Sequence, residues 1–170
     1  MLRRVSDLDH RVLHAMRTHG HRRGAEWAAK LLGWIGEYAG VWVAIGVALA
    51  ILDAERRGEW LAAAAFGPLT IGINFAVKLA VRRQRPVLEG LPPLGGAPSA
   101  LSFPSAHTTS SFAVATAMTR IAPEAAPLFA LALAIALCRP YLGMHYPSDV
   151  LGGALLGLGL GLALPLGIFS

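Results

Sequence analysis

The sequence predicts an all-α fold: a polytopic membrane helical bundle of about five transmembrane helices, preceded by an N-terminal amphipathic helix lying in the interface. Three observations lead there. Of 170 residues, 55% are hydrophobic and only 15% charged, where a soluble domain carries about 25% charged. The mean hydropathy is +0.53. Apolar runs recur at close to the roughly 17–25 residues that a helix needs to cross a hydrocarbon core. The same figures exclude a disordered chain, and the single cysteine, Cys138, excludes a disulfide scaffold.

The elements follow in order. Val5, Leu8, Val12, Ala15 and Met16 recur at helical spacing while Arg11, His14 and Arg17 are expected on another face. Ser6 suits the start of this helix and Gly20 its end. A basic amphipathic helix of this kind lies on a membrane surface, or else packs on a soluble face. The first span is expected over 33–52, with Glu37 its only charge. The second covers 60–77, with Trp60 as an interfacial anchor. The third, 105–122, begins rich in Ser and Thr. The fourth, 127–138, is short unless Glu124 or Ala125 begins it, and the fifth runs from 149 to 169. The chain therefore divides into a basic interfacial segment, 1–32, and a transmembrane domain, 33–170. No cleavable signal is expected, because the first apolar run comes late and is long enough to span.

The net charge of +5 does not describe a nucleic-acid surface, because no aromatic residues are interleaved with the cations. Seven of the fifteen Lys and Arg residues precede the first span, and Lys78, Arg82, Arg83, Arg85 and Arg139 lie between spans on the same side. Arg56, Arg57 and Arg120 fall on the other. The positive-inside rule makes the richer side cytoplasmic. If residues 5–32 cross the bilayer as well, the orientation inverts. Gly153, Gly157 and Gly161, four apart, let a helix approach another closely. Packing within the chain is the first expectation and a homodimer the second; Gly36 and Gly40 repeat the spacing.

Charge at a membrane boundary is costly and calls for a reason. Three clusters stand out. In Lys78-Leu-Ala-Val-Arg-Arg-Gln-Arg85-Pro86, Lys78 and Arg85 share a face if the helix continues; a snorkelling collar is the alternative. In Ser102-Phe-Pro-Ser105-Ala106-His107, Ser105 and the next amides stand at a helix N-terminus, a site for an anion. In Arg139-Pro-Tyr-Leu-Gly-Met-His145-Tyr-Pro-Ser-Asp149, a carboxylate four residues on can orient an imidazole as nucleophile or base. Three cations, a helix-end anion site and two histidines describe a phosphate pocket with acid–base equipment.

The pattern Lys78, six residues, Arg85-Pro86, then Pro104-Ser105-x-His107, then Arg139, five residues, His145, three residues, Asp149 resembles the three-part signature of the type 2 phosphatidic acid phosphatase (PAP2) family. Vanadium haloperoxidases and bacterial acid phosphatases share it. Two positions depart: Ala106 stands where Gly is usual and Cys138 where Ser usually precedes the Arg. Ala106 keeps its amide, while Cys138 forgoes one hydroxyl hydrogen bond. The resemblance implies a lipid-phosphate phosphatase of the short bacterial form. Lys78, Arg85, Ser105, Ala106 and Arg139 would bind phosphate, His145 would attack phosphorus, Asp149 would orient it, and His107 would act as acid and then base. No metal or other cofactor is expected, because the cations neutralise the developing charge. Family substrates include phosphatidic acid, phosphatidylglycerol phosphate and polyprenyl phosphates. The short Ala/Arg/Gly-rich chain also resembles forms suspected of dephosphorylating decaprenylphosphoryl-5-phosphoribose, which a cytoplasmic pocket would suit.

Two other functions use parts of the same set. An intramembrane serine protease would employ Ser105 with His107 or His145 and leave the cations idle. A lipid-phosphate binder or transporter would employ the cations without His145 and Asp149, although five spans without a repeat are few for a transporter. His10, His14, His19 and His21 lack the carboxylates or Cys of a metal site. Glu37 faces a polar cavity or head group, or lies at the interface. Asn74 orients Lys78 or bonds another helix. Tyr141 and Tyr146 suit interfacial anchoring, Arg82 and Arg83 head-group binding or a topological role, and the 87–104 loop a lid or an interfacial connection.

Overall fold

The computed structural model describes residues 2–169, with side chains from Asp7 onward. Its described residues form seven α-helices: α1 (Leu2–Thr18), α2 (Arg23–Ile35), α3 (Gly40–Leu52), α4 (Arg57–Val81), α5 (Ala106–Ile121), α6 (Leu128–Tyr141) and α7 (Pro147–Ala163). Short 3-10 turns follow α2, α5 and α7. The expected all-helical architecture is present. Three stretches, Arg57–Val81, Pro123–Tyr141 and Pro147–Ile168, are long and apolar enough to cross a membrane, and a fourth arises if α2 and α3 count as one bent span.

That bent pair corrects the expected continuous first span. The chain breaks by 55° between α2 and α3, with Tyr38 at φ 50° and Ala39 at φ 62°. Two consecutive non-glycine residues in the left-handed region cost free energy. They turn Glu37 toward α5 instead of leaving it on a regular helix. Residues 32 and 33 are both inside α2, so the division expected there falls within one helix.

α5 occupies the middle of the bundle and packs on α4, α6 and α7. At 16 residues it is about 24 Å long, shorter than the hydrocarbon core, and eleven of its residues are buried among neighbouring helices. Its Ser and Thr therefore meet protein rather than lipid. Trp42 of α3 donates from Nε1 to Ser111 Oγ at 2.9 Å, beside the apolar core of Val114, Met118 and Ile135.

The glycine stripe of α7 is occupied by α5. A Cβ at Gly153, Gly157 or Gly161 would stand 2.8, 2.5 or 2.5 Å from a carbonyl oxygen of Ser105, Thr109 or Ala113. This is the intrachain packing expected first. It leaves those three positions facing α5, not outward toward a second copy.

Helix α1 docks on α6 and α7, but not as its periodicity suggests. Asp9, Leu13 and Arg17, one turn apart, form the buried face. Arg17 donates to the carbonyls of Pro92 and Tyr141, whereas Leu8 and Val12 are exposed. The side chains of Val5 and Ser6 lie outside the described ones, and Ser6 falls inside α1 rather than capping it. Trp60 is likewise not an outward anchor. It is 2% exposed and donates to Asp53. Tyr146 is buried beneath Arg83, and Tyr141 stacks on His21. At the far end, Arg120 donates to the carbonyls of Gly161 and Leu164, capping α7.

Candidate active site

The three sequence clusters meet at one end of the bundle, around a cavity of about 390 Å³. Lys78, Arg85, Ala106, His107, Arg139 and His145 line it. Lys78 stands in the last turn of α4, where its Nζ donates to the carbonyls of Leu101 (3.2 Å) and Ser102 (2.9 Å). Two of the three ammonium protons are thus used, and one remains for a ligand.

Arg85 does not reach the cavity along a continued helix. α4 ends at Val81, and Arg82, at φ 54°, reverses the chain. Arg85 then returns from the connection, anchored as Nε donates to Ser99 O (2.8 Å) and Nη1 to Met144 O (2.7 Å). Arg139 enters from α6 beneath α2, which Gly33 brings close. A Cβ there would stand 3.1 Å from Arg139 Nη1. Arg139 Nε is buried and has no partner among the described residues, an orphan donor that an anion would satisfy.

The N-terminus of α5 completes the anion site. Ser105 is its N-cap without a side-chain capping bond, so the first amides keep their donors. Ser105 itself is fully buried behind the cavity wall: its amide donates to Asp149 O at 3.0 Å and its Oγ accepts from Thr108 at 3.0 Å. Ala106 and His107 form the wall.

The geometry at His145 sets its tautomer. Arg85 Nη1 lies 3.2 Å from His145 Nε2. A guanidinium can only donate, so Nε2 accepts and the ring proton sits on Nδ1. Nδ1 faces Asp149 Oδ2 at 3.5 Å, longer than a formed hydrogen bond. Asp149 is the third residue of α7 and reaches back to the Tyr146 amide at 2.8 Å, the carboxylate half of a capping box. The spacing of four between His145 and Asp149 therefore works through a helix cap, with His145 outside the helix. Burial foremost, then the charges of Arg85, Arg139, Lys78 and His107, holds the His145 imidazole well below its ordinary range. It is neutral with a lone pair on Nε2.

His107 Nε2 lies 3.0 Å from Gly33 O and 3.4 Å from Glu37 Oε2. A carbonyl only accepts, so Nε2 carries a proton. Glu37 thus lies at the cavity beside a histidine. Asn74 lines the cavity too but bonds Thr109 and Pro104 rather than Lys78. Pro98 and Ser99 of the 87–104 loop cover one side. No group of three or more potential metal-ligating His, Cys, Asp or Glu occurs among the described residues. The residue that sequence reasoning undervalued is Arg83, which bonds Asp149 Oδ1 at 2.8 Å.

A membrane-embedded helical bundle that gathers three cations, a helix-end anion site and two histidines in opposite protonation roles is equipped for phosphoryl transfer. The chain belongs to the PAP2 superfamily, whose sequence profile matches residues 59–169. Decaprenylphosphoryl-5-phosphoribose phosphatase of Mycolicibacterium smegmatis is 39% identical over 132 residues, 78% of this chain and 73% of that one. The protein of the same name from Mycobacterium tuberculosis is 40% identical over 140 residues, 82% and 78% of the two chains. The crystal structure of Aquifex aeolicus LpxE superposes with a TM-score of 0.73 at 25% identity, covering 91% of this chain and 93% of that one. The PAP2-type phosphatidylglycerolphosphate phosphatase of Bacillus subtilis shares the fold, with a TM-score of 0.72 at 21% identity over 94% and 84%. The protein is an integral membrane phosphatase of lipid phosphates, a phosphoric ester hydrolase.

Proposed function

We propose that the protein hydrolyses a phosphomonoester or diphosphate on a lipid carrier through a phosphohistidine at His145. The observation that carries this is His145 Nε2, which accepts from Arg85 and so presents a lone pair in a cavity lined by Lys78, Arg85 and Arg139. A phosphoryl group entering the cavity draws Arg85 from Nε2 onto its oxygens, with Lys78, Arg139 and the Ala106 and His107 amides. Ser105 positions that helix end. Nε2 then attacks phosphorus in line, and the bond to the leaving oxygen breaks as His107 gives that oxygen its proton. Asp149 stabilises the charged imidazole. Water next attacks the phosphohistidine, His107 takes its proton, and release of phosphate restores His145. The cations supply the charge neutralisation, so no metal is assigned a role.

Tyr38, Ile71 and Phe75 form an apolar wall beside the phosphate site, which suits a long acyl or prenyl chain. The similarity to the mycobacterial phosphatases favours a polyprenylphosphoryl pentose phosphate such as decaprenylphosphoryl-5-phosphoribose. Counting the bent α2–α3 pair and the enclosed α5 as crossings gives five, and on that count the site lies at the cation-rich end. The positive-inside rule then assigns it to the cytoplasmic face of a bacterial inner membrane. The outward Trp27, Trp34 and Tyr38 suit an interfacial belt, with α1 alongside at that surface.

The test is phosphate release by detergent-purified protein from a panel of lipid phosphates, with EDTA present and His145→Ala beside it. Turnover that resists EDTA and falls at least about a thousand-fold in the variant is expected. Lipid binding without release, identical in the two proteins, would overturn the proposal in favour of a binder.

A further inference from the structure

The family profile begins at residue 59, yet a residue of α1 is bonded into the support of Asp149. Arg83 joins the two. Its Nη1 donates to Asp149 Oδ1 (2.8 Å) and to Ser148 Oγ (2.6 Å), and its Nη2 to Asp9 Oδ2 (2.7 Å). Its guanidinium lies 4.1 Å from the centre of the Tyr146 ring. Asp9 in turn accepts the Ser148 amide on Oδ1 (2.9 Å) and the Ser148 hydroxyl on Oδ2. Asp9 is 4% exposed and Asp149 fully buried.

Given His145 as the nucleophile, on which this inference rests, we propose that Arg83, held by Asp9 of α1, is a positioning residue for the Asp149–His145 pair. The N-terminal helix is then part of the catalytic apparatus. Asp149 has two oxygens with separate duties. Oδ2 takes the Tyr146 amide and faces His145 Nδ1, while Oδ1 accepts from Arg83, and the Ser102 hydroxyl also bonds the carboxylate. Without the Arg83 bond the carboxylate keeps the Tyr146 amide on Oδ2 but loses its charged partner on Oδ1, and the contact to Nδ1 at 3.5 Å is held less firmly. The planar guanidinium engages two carboxylates and a hydroxyl at once. An ammonium, a single point charge, cannot match that geometry. Asp9 fixes the far side of the guanidinium. Burial would raise the Asp9 carboxyl, but its bonds to Arg83 and Ser148 outweigh that and hold it below the usual range. It is charged at working pH.

The alternative is a clamp that only attaches α1 to the bundle. Activity against pH separates the two. The charged groups around the pair are Lys78 from α4, Arg83 and Arg85 from the connection, His107 from α5, Arg139 from α6 with Glu37 beyond it, and Asp9 from α1, with the Tyr146 phenol alongside. Arg83 draws on the charge of Asp149. Removing it lets that charge act on the imidazole in full, so the pair keeps its proton to higher pH.

The experiment measures kcat and KM against pH for the full-length chain in detergent, with a lipid phosphate that the parent hydrolyses. Arg83→Gln is expected to lower kcat about ten- to a hundred-fold with KM unchanged, and to move the acidic limb of kcat/KM upward. Arg83→Lys, which keeps the charge but not the fork, lowers kcat and leaves the limb in place. Asp9→Asn lowers kcat less, and adds no further loss in an Arg83→Gln background. The proposal is overturned if both Arg83 variants stay within about two-fold of the parent, or if the Asp9 and Arg83 losses multiply. A loss in Arg83→Gln with an unmoved limb overturns it as well. Should Arg83→Gln not fold, Arg83→Lys and Asp9→Asn decide by kcat, since retention of the parent rate in both refutes it. His145→Ala run alongside separates the two levels. An active His145→Ala removes the reading of the nucleophile, whereas an inactive one beside unaffected Arg83 and Asp9 variants removes only the positioning role.

Discussion

Gly157→Ala tests the contact that brings the two catalytic helices together. The added Cβ would lie 2.5 Å from Thr109 O, 2.9 Å from Phe112 Cβ and 3.0 Å from Ala113 N. Two of these are backbone atoms of α5, which no rotamer change can move aside. Reaching ordinary contact near 3.4 Å requires α7 and α5 to part by about 0.9 Å. Overpacking of this kind costs about 1–3 kcal/mol. Gly159→Ala, two positions away, meets nothing within 4 Å and gains up to about 1 kcal/mol of helix propensity. The propensity gain is common to both variants, so they should differ by the overpacking cost, about 1–3 kcal/mol, with Gly157→Ala the less stable. Unfolding titrations in mixed detergent, followed by tryptophan fluorescence, read the difference. Because α5 carries His107 and α7 carries Asp149, kcat should fall in Gly157→Ala and hold in Gly159→Ala. Equal midpoints would refute the packing argument. So would a Gly157→Ala protein of unchanged stability that merely lost a dimer, since the stripe would then serve a second copy.

Two further expectations follow from the histidines. His145 is held well below its ordinary value of 6.5 by burial and cations. Above that pH the folded and unfolded imidazoles are both neutral and the residue adds no pH dependence. Below it the unfolded chain takes up a proton that the folded site refuses, so the parent loses stability relative to His145→Gln by up to about 1.4 kcal/mol per pH unit. Parallel stability curves from pH 7 to pH 4.5 would contradict this. Glu37→Gln removes the carboxylate 3.4 Å from His107 Nε2 and should lower kcat about three- to ten-fold, because the ring then keeps only its bond to Gly33 O. A kcat within about two-fold of the parent would mean that Glu37 does not help hold His107.

Much of the site is legible in the linear sequence because its chemistry resides in residue types that a membrane chain otherwise avoids. Lys78, Arg85, Arg139, His107, His145 and Asp149 stand out against 55% hydrophobic residues. The apolar runs stand out for the complementary reason, that hydrocarbon satisfies no polar backbone and demands continuous helices. The fourth stretch illustrates the boundary of that legibility. Its length is completed by Pro123–Ala125, a 3-10 turn that hydropathy alone does not join to α6.

What the sequence by itself determined is the class of fold, the places where charge interrupts it and the order of the reactive residues. These depend on composition and spacing along a single chain. The tertiary structure alone decided which neighbours those residues meet. Arg83 pairs with Asp149 and Asp9, 66 and 74 residues away, and no periodicity encodes a partner at that distance. Trp60 and Tyr146 look like interfacial anchors because amphipathic rings suit that depth, yet each found a polar partner inside the bundle. On α1 the periodicity marks Leu8 and Val12, but the docked face is Asp9, Leu13 and Arg17, chosen by bonds to Arg83, Ser148, Pro92 and Tyr141. At a protein surface rich in charge and free carbonyls, a buried ion pair and satisfied hydrogen bonds select the contact face. The apolar face is left for another environment.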